Sequence, residues 1–556
     1  MSPDRQHTKP VRAFYVHSRY CVMGKKGYDR EKSQQGKSHS KGKVTAREKS
    51  QQGKSHSKGK VTARKKEREI QMDYSCFETL AVPLPEDIEK LKWRGDFDRA
   101  VRTIDSRLKR DIPQALRKRL MIEKEILKRM PGQYPYTWSE ALDMLRDNVR
   151  DFKDSELEKL WEEDAADWIY VDGEVRFRSC FLKNVLKTRK EYENRALDRE
   201  LVRSKAENFA LLNRTIASMK EQGGAGCRFC IRGTLGILEE AEREGEDIKV
   251  YLPLPIEYAQ VKNVKIHSVR IGEREAEKQE YTIARADAFQ RTICFHTKHR
   301  KGQKYSVEFS FENQEAYLDF SHGSLEHGSL RHGSPERAGE KHGANGFAEP
   351  SDAWLAQQQP HIRFTPLIRE LAAEIVGEEQ DPLKKARRIY DYITTHVMYS
   401  FVRSYFTLTD IPQYAASSMK GDCGVQALLF ITLCRVAGIP ARWQAGLYTS
   451  PFEISCHDWA QFYSKSHGWR YADCSFGGAA YREGETERWD FYFGNLDPFR
   501  LPAAREFGYE FEPPMTHLRN DPYDNQMGEA EYGDRSLLEE EYSTEYEMIS
   551  LEDITY

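Results

Sequence analysis

The chain has 556 residues, 86 Lys and Arg against 88 Asp and Glu, a net charge of −2, ten cysteines and 39% apolar residues. That length suits about three or four domains with a sizeable core. There is no apolar run of about twenty residues and no signal-peptide pattern, which excludes a membrane-spanning helix as the expected architecture and points to the cytoplasm; ten cysteines over this length are not a disulfide framework, so most are expected to be reduced.

The near-neutral total hides an asymmetry. Residues 1–71 carry 20 Lys and Arg against 6 Asp and Glu, or +14, which leaves −16 for the remainder; from Glu506 onward there are 15 acidic residues against 2 arginines. Within the basic stretch, "REKSQQGKSHSKGKVTA" at 30–46 returns unchanged at 47–63. It has too few apolar groups to offset the entropy of ordering its backbone, so residues 1–71 read as a disordered leader. A basic arm would suit nucleic acid or acidic lipid. However, "KKEREIQ" before Met72 must be encoded by purine-rich codons, as a translated ribosome-binding site would be. A mis-called start at Met72 is therefore preferred, and neither nucleic acid nor membrane is expected as a partner.

Residues 72–205 read as mainly helical. In "GDFDRAVRTIDSRL", Phe97, Val101, Ile104 and Leu108 form the stripe of an amphipathic helix. "IPQALRKRLMIEKEILKRM" predicts another. In "DWIYVDGEVRFR", extended runs flank Asp172-Gly173, a hairpin signal. From about residue 206 to 320 the period becomes two. "CRFCIRGTLGI", "IKVYLPLP", "VKNVKIHSVRI", "RTICFHTK" and "YSVEFSFE" predict an antiparallel β-sandwich. Cys227 and Cys230, with Cys294 and His296, are read as ordinary strand residues, not zinc ligands, since a lone Cys-x-x-Cys is weak. No metal or cofactor is expected. Residues 321–350, with His322, His327, His332 and His342 on an HGS beat, read as a flexible linker.

Residues 351–510 carry the chemistry. "DPLKKARRIYDYITTHVMYS" predicts a helix with Pro in its first turn. In "MKGDCGVQALLFITLCRVAGIPARW", Asp422 suits an N-cap, the following residues are apolar nearly all round, and Gly438 and Pro440 stop the helix. Cys423 thus sits at the positive end of a buried helix, where thiolate is favoured. Cys434, further along, reads as core, and His467 as solvated in a turn. "SCHDWAQFYS" and "WRYADCSF", joined by "KSHG", form a hairpin. With its centre near Lys465, His457 opposes Asp473 on one face and Cys456 opposes Cys474 on the other. Cys423, His457 and Asp473 then supply a nucleophile, a base and a group to hold the base's tautomer. The Cys423 backbone N–H is a candidate oxyanion donor.

At "GDCG…LCRVAGIPARW", "CHDWAQFY" and "GWRYADCSFG" the sequence resembles the transglutaminase-like superfamily. The wider chain looks like bacterial proteins with this core, continuing through "FYFGNLDPFR" and "RNDPYDNQMGE". The resemblance implies an α+β fold: a papain-like core with a Cys-His-Asp triad, preceded here by the helical region and the β-sandwich. Animal transglutaminases carry an upstream oxyanion tryptophan, but no Trp lies between Trp354 and Trp443. Gln413, or a tyrosine such as Tyr405 or Tyr414, becomes the candidate donor. No calcium loop is visible. Trp443, Trp459 and Trp469 are candidates for the wall of a peptide groove. Residues 511–556 read as an acidic, solvated tail. The expected activity is cysteine-dependent acyl transfer or hydrolysis on peptide or protein amides through a thioester. The alternatives are cross-linking of protein glutamine to amines and a non-catalytic peptide-binding scaffold.

Overall fold

The computed structural model describes residues 74–258, 260–321 and 350–555. The basic leader with its repeat and the histidine beat lie outside the described residues.

The helical region begins with α1 (Glu86–Arg94), α2 (Phe97–Leu108) and α3 (Gln114–Arg129). Asp96 caps α2, accepting from the Arg99 N–H at 3.3 Å, and the stripe turns Phe97, Ala100 and Ile104 inward. Strand β1 (Tyr136–Thr137) leads into α4 (Trp138–Asn148), which opens on a Thr137–Glu140 capping box; α5 (Asp154–Glu162) follows. The expected hairpin is β2 (Trp168–Val171) and β3 (Glu174–Phe177), with β1 pairing on β3. Asp172 (φ 52°) and Gly173 (φ 81°) are both left-handed, as a type I′ turn requires. Then come α6 (Phe181–Thr188), α7 (Lys190–Glu193) and α8 (Arg199–Gln222). Helix α8 runs across the boundary expected near residue 205 and feeds directly into the first sandwich strand.

That strand is β4 (Gly224–Ile237), followed by β5 (Asp247–Pro253), β6 (Val261–Ile271), β7 (Arg274–Glu275), β8 (Tyr281–Ile283), β9 (Thr292–Lys298) and β10 (Lys304–Ala316). All pair antiparallel, in two sheets. Residues three apart on a strand point to opposite faces. Cys227 is accordingly buried near Asp553 while Cys230 faces Glu308. Cys294 belongs to the other sheet.

The next region begins with α9 (Pro366–Val376) and α10 (Pro382–His396), the latter capped by Asp381 with Pro382 at its first position. Next come β11 (Met398–Tyr399), α11 (Ile411–Ser418), β12 (Lys420–Gly421) and α12 (Cys423–Val436). Strands β13 (Ala441–Thr449), β14 (Ile454–Ser464) and β15 (Gly468–Ala472) follow, then α13 (Cys474–Glu483), α14 (Thr486–Phe491), β16 (Phe493–Gly494) and β17 (Arg500–Ala504). The main sheet is antiparallel in the order β16-β15-β14-β13-β17. A hydrophobic core runs from Phe77, Ile88 and Leu120 of the helical region through Ile389 and Leu429 to Phe462. A second core fills the sandwich and takes in Leu447 and Leu501 of the main sheet.

The C-terminal region overturns the expectation of a solvated tail. Strand β18 (Glu529–Tyr532) pairs with β5, and β19 (Tyr542–Ile554) pairs with β4 along its length. Both sandwich sheets are thus completed from the far end of the sequence. Along β19, Tyr542, Tyr546 and Met548 turn inward. Two of its acidic residues face arginines on β4, with Glu547 2.9 Å from Arg232 and Glu552 3.3 Å from Arg228. On β19 the acidity is the solvent-side half of a period-two pattern, whereas Asp524 and the β18 residues Glu529 and Glu531 are buried.

Candidate active site

Helix α12 is buried on every side, in keeping with its apolar sequence. Asp422 caps it, accepting from the Val425 N–H at 3.2 Å, and Tyr405 Oη donates to the same carboxylate at 2.6 Å. At the far end the Ile439 N–H reaches back to Cys434 O at 2.8 Å, and Gly438 is left-handed. Cys423 is therefore held in the first turn, 5% exposed. Its thiol donates to Asp458 Oδ2 at 3.3 Å. Gly424 permits this close assembly. A Cβ there would fall inside the Tyr405 hydroxyl and 2.6 Å from Asp458 Oδ2.

His457 Nε2 lies 2.7 Å from Asp473 Oδ2, both side chains being buried. The strand register differs from the expected one. Ser464 pairs with Gly468 and Ala460 with Ala472, a shift of two residues from a hairpin centred on Lys465. The physical reason is the connection Lys465-Ser466-His467, closed by Gly468 at φ 65°. A two-residue shift preserves faces, so His457 and Asp473 stay on the same side. Asp473 itself has left the strand to cap α13, where Oδ1 accepts from the Phe476 N–H at 3.0 Å. The expected opposition of Cys456 and Cys474 is absent, since the β14–β15 ladder ends at Ala460 and Ala472 and Cys474 opens α13.

Behind Asp473 lies a pair absent from the sequence reading. Arg500 Nη2 is 3.2 Å from Asp473 Oδ2 and 2.7 Å from Asp497 Oδ2, all three side chains being inaccessible to solvent. The guanidinium is also boxed by aromatic rings, Phe476 at 4.3 Å and Tyr448 at 5.0 Å. Burial works to raise the Asp473 carboxyl, but His457 and then Arg500 outweigh it and hold it below the ordinary value. For Arg500, burial pulls down while Asp497 and Asp473 hold the guanidinium above its usual value. One fixed cation faces two carboxylates here, so a proton arriving on His457 would bring the cluster to neutrality.

Gln526 is a second contributor that sequence reasoning missed. Its Nε2 donates to Asp458 Oδ1 at 2.5 Å and to His457 O at 3.1 Å. The oxyanion candidate Gln413 is exposed on α11, its backbone N–H taken by the Asp410 cap at 3.0 Å. The groups beside the first turn of α12 are instead Tyr405 and Asp458. Tyr414 sits half-buried on α11 near Asp167 and Arg403. The three tryptophans are interior residues, not an exposed wall: Trp443, Trp459 and Trp469 are 2%, 0% and 2% accessible. Trp443 packs edge-on against Phe507. Trp469 lies under the Arg442 guanidinium at 3.8 Å. Trp459 stacks on the His457 ring and anchors its indole N–H on Gln444 Oε1 at 2.6 Å. Burial pushes the Cys434 and Cys474 thiols well up, Asp473 adding to the effect at Cys474. His467 in the β14–β15 turn is bonded to Ser466 at 2.8 Å and meets the Phe320 ring edge-on. Among the described residues no three His, Cys, Asp or Glu side chains converge as a metal site, and no helix is long and apolar enough to cross a membrane.

Fold and site together define a mixed helix-and-sheet domain with a cysteine heading a buried helix, its thiol on Asp458 of β14, and a histidine on that same strand bonded to the aspartate that caps α13. Residues 369–474 match the family described as the transglutaminase-like superfamily, so the chain carries a transglutaminase-like core that holds Cys423, His457 and Asp473. An uncharacterized protein of Haemophilus influenzae is 31% identical over 84 residues, a match taking in 15% of this chain and 23% of that protein. The chain therefore matches less than a quarter of that relative's length. Among solved structures, a candidate cysteine protease from Cytophaga hutchinsonii is 13% identical with a TM-score of 0.31, over 58% of this chain and 98% of that one. The periplasmic domain of TgpA from Pseudomonas aeruginosa is 14% identical with a TM-score of 0.23, over 49% and 94%.

Proposed function

We propose that the protein is a cysteine-dependent hydrolase of peptide or protein amides, acting through Cys423, His457 and Asp473. The observation that carries this reading is the 2.7 Å His457–Asp473 contact together with the Cys423 thiol, at the head of a buried helix, 3.3 Å from Asp458, the residue next to His457 on β14. His457 Nε2 is committed to Asp473, so Nδ1 is the nitrogen that takes the thiol proton. The sulfur attacks the amide carbonyl carbon, and the oxyanion is met by first-turn N–H groups of α12, which have no acceptor within the helix. His457 returns the proton to the leaving nitrogen as the C–N bond breaks, leaving a thioester. Water, deprotonated by His457, attacks the thioester; the acid departs and the thiol is restored. Asp473 keeps the imidazole in the required tautomer, with Arg500 and Asp497 fixing Asp473 from behind. Water is preferred to an amine as acceptor because free cross-linking would endanger the cell's own proteins.

The test is mass spectrometry of peptide libraries incubated with wild type and Cys423→Ala, with and without added amine. Cleavage or a deamidation mass shift that requires Cys423 supports hydrolysis. An amine adduct moves the assignment to cross-linking. No product from wild type overturns it in favour of a binding scaffold.

A further inference from the structure

We propose that Asn184 and Gln133 of the helical region are positioning residues for the Cys423 thiol, acting through Tyr405, so that the nucleophile is set by a part of the chain outside the family match. This rests on the amide-hydrolase reading for what the thiol does, and on the contacts around residues 398–424 for how it is held.

The chain reaches Cys423 through a weak element. Strands β11 and β12 are two residues each and pair in parallel, Met398 with Lys420 and Tyr399 with Gly421. The Met398 N–H donates to Met419 O at 2.9 Å and the Ser400 N–H to Gly421 O at 3.1 Å. So short a ladder does not hold itself. Met419 also stands at φ 51°, a left-handed conformation that a residue with a long side chain keeps only where its surroundings fix it.

Those surroundings include three residues of the helical region. Lys420 Nζ donates to Asp164 O at 3.0 Å and pairs with the Asp164 carboxylate. On α6, the buried Asn184 accepts from the Phe401 N–H at 2.8 Å and donates to Phe401 O at 3.1 Å. A side-chain amide that satisfies both polar groups of one residue fixes that residue in position and rotation. Gln133, shortly after α3, accepts at Oε1 from the Ser404 N–H at 2.9 Å. Its own carbonyl accepts from the Ser179 N–H at 3.0 Å, which ties it to the segment after β3.

Phe401 and Ser404 thus pin the approach to Tyr405, itself buried. A phenol has one proton to donate. That of Tyr405 goes to Asp422 Oδ1 at 2.6 Å, the oxygen that also accepts from the Val425 N–H at 3.2 Å. Tyr405 is therefore assigned to holding Asp422 in place of oxyanion donation. Its ring also bounds Gly424, where a Cβ would lie 2.9 Å from Tyr405 Cε2. One rigid ring touches the residues on both sides of Cys423, and a shift of Phe401 or Ser404 passes through it to the first turn of α12.

The experiment measures the pH profile of Cys423 alkylation by iodoacetamide in the full chain, with the fully buried Cys434 as the reporter of unfolding. Tyr405→Phe takes a donor from Asp422 and leaves that carboxylate less neutralised near the sulfur, so the midpoint of the profile should rise by about half a pH unit. Asn184→Leu and Gln133→Met should each move it in the same direction. Asn184→Leu/Tyr405→Phe should go no further than Tyr405→Phe alone, because both changes act along one route. Asp422, His457 and Asp458 are retained in every variant. A lowered thermal midpoint with an unchanged profile in Asn184→Leu and Gln133→Met would show a purely structural brace and overturn the proposal. A double variant in which the two shifts add in full overturns it as well. Where rapid Cys434 labelling shows Asn184→Leu to be unfolded, Gln133→Met and its double variant with Tyr405→Phe decide. Wild-type Cys423 reacting no faster than Cys456 would instead count against the hydrolase reading, while the shifts between variants would still decide the positioning role.

Discussion

Cys423 and His457 each have a carboxylate at hand, Asp458 for the thiol and Asp473 for the ring, and the two acids do different work. Asp473→Asn keeps the α13 cap but offers the imidazole a group that can stabilise the wrong tautomer. Turnover should fall by about three orders of magnitude with little change in KM, measured on whichever peptide the library selects. Asp458→Asn removes a negative charge beside the sulfur and should speed iodoacetamide alkylation of Cys423 severalfold at pH 7. Gly424→Ala should abolish both reactions, because its methyl group occupies the space of the Tyr405 hydroxyl. His361 offers a test of stability. It is fully buried, accepts from the Ile411 N–H at 3.2 Å, and burial holds its ring down to about 3, with Arg363 adding to the effect. An unfolded histidine takes its proton near pH 6.5. The folded state therefore has this contribution in full above that pH and loses it as pH falls toward 3. Urea unfolding between pH 6 and 4 should show wild type losing about 1 kcal/mol per pH unit more than His361→Gln, whose amide can still accept from Ile411.

Elements differ in how openly they announce themselves. Helix α12 was legible from end to end, because its cap, its all-round apolar character and its Gly-x-Pro stop agree. The hairpin at Asp172-Gly173 was equally plain, since its turn demands positive φ at both positions. Strand β19 was hidden by its own glutamates. The alternation of Tyr542, Thr544, Tyr546 and Met548 is present, but the charge along the strand reads as a tail because Arg228 and Arg232 come opposite it only in the fold. The β14–β15 register was missed by two residues because three connecting residues, not two or four, are closed by Gly468. Arg500 and Gln526 lie in "FYFGNLDPFR" and "RNDPYDNQMGE", stretches that carry the resemblance, but nothing local assigns either a role, as each reaches the site only through tertiary packing. Gln526 links the site to β19, for Tyr546 Oη donates to Gln526 O at 3.2 Å. Gln526→Leu should leave the thermal midpoint within a few degrees while lowering kcat/KM about tenfold. Ending the chain at residue 541 removes β19, exposes the edge of β4 and should yield insoluble protein in a sedimentation assay.

At the scale of the molecule, the regions are less separable than their sequence periods suggest. The helical region shares one core with α9, α10 and α12, and the sandwich shares another with β13 and β17. Residues 351–510 expressed alone should therefore expose large apolar faces, bind the dye ANS and lack a cooperative melting transition, although they contain every proposed triad residue. The chain order of the site adds a temporal consequence. Cys423, His457 and Asp473 all leave the ribosome before Gln526 and β19 do. A nascent chain thus carries its nucleophile for many seconds without the brace on Asp458 and the last strand of the sandwich. On the proposed amide-hydrolase reading, competence would be deferred until that strand docks, which would shield both the growing polypeptide and its neighbours on the polysome from a prematurely active thiol.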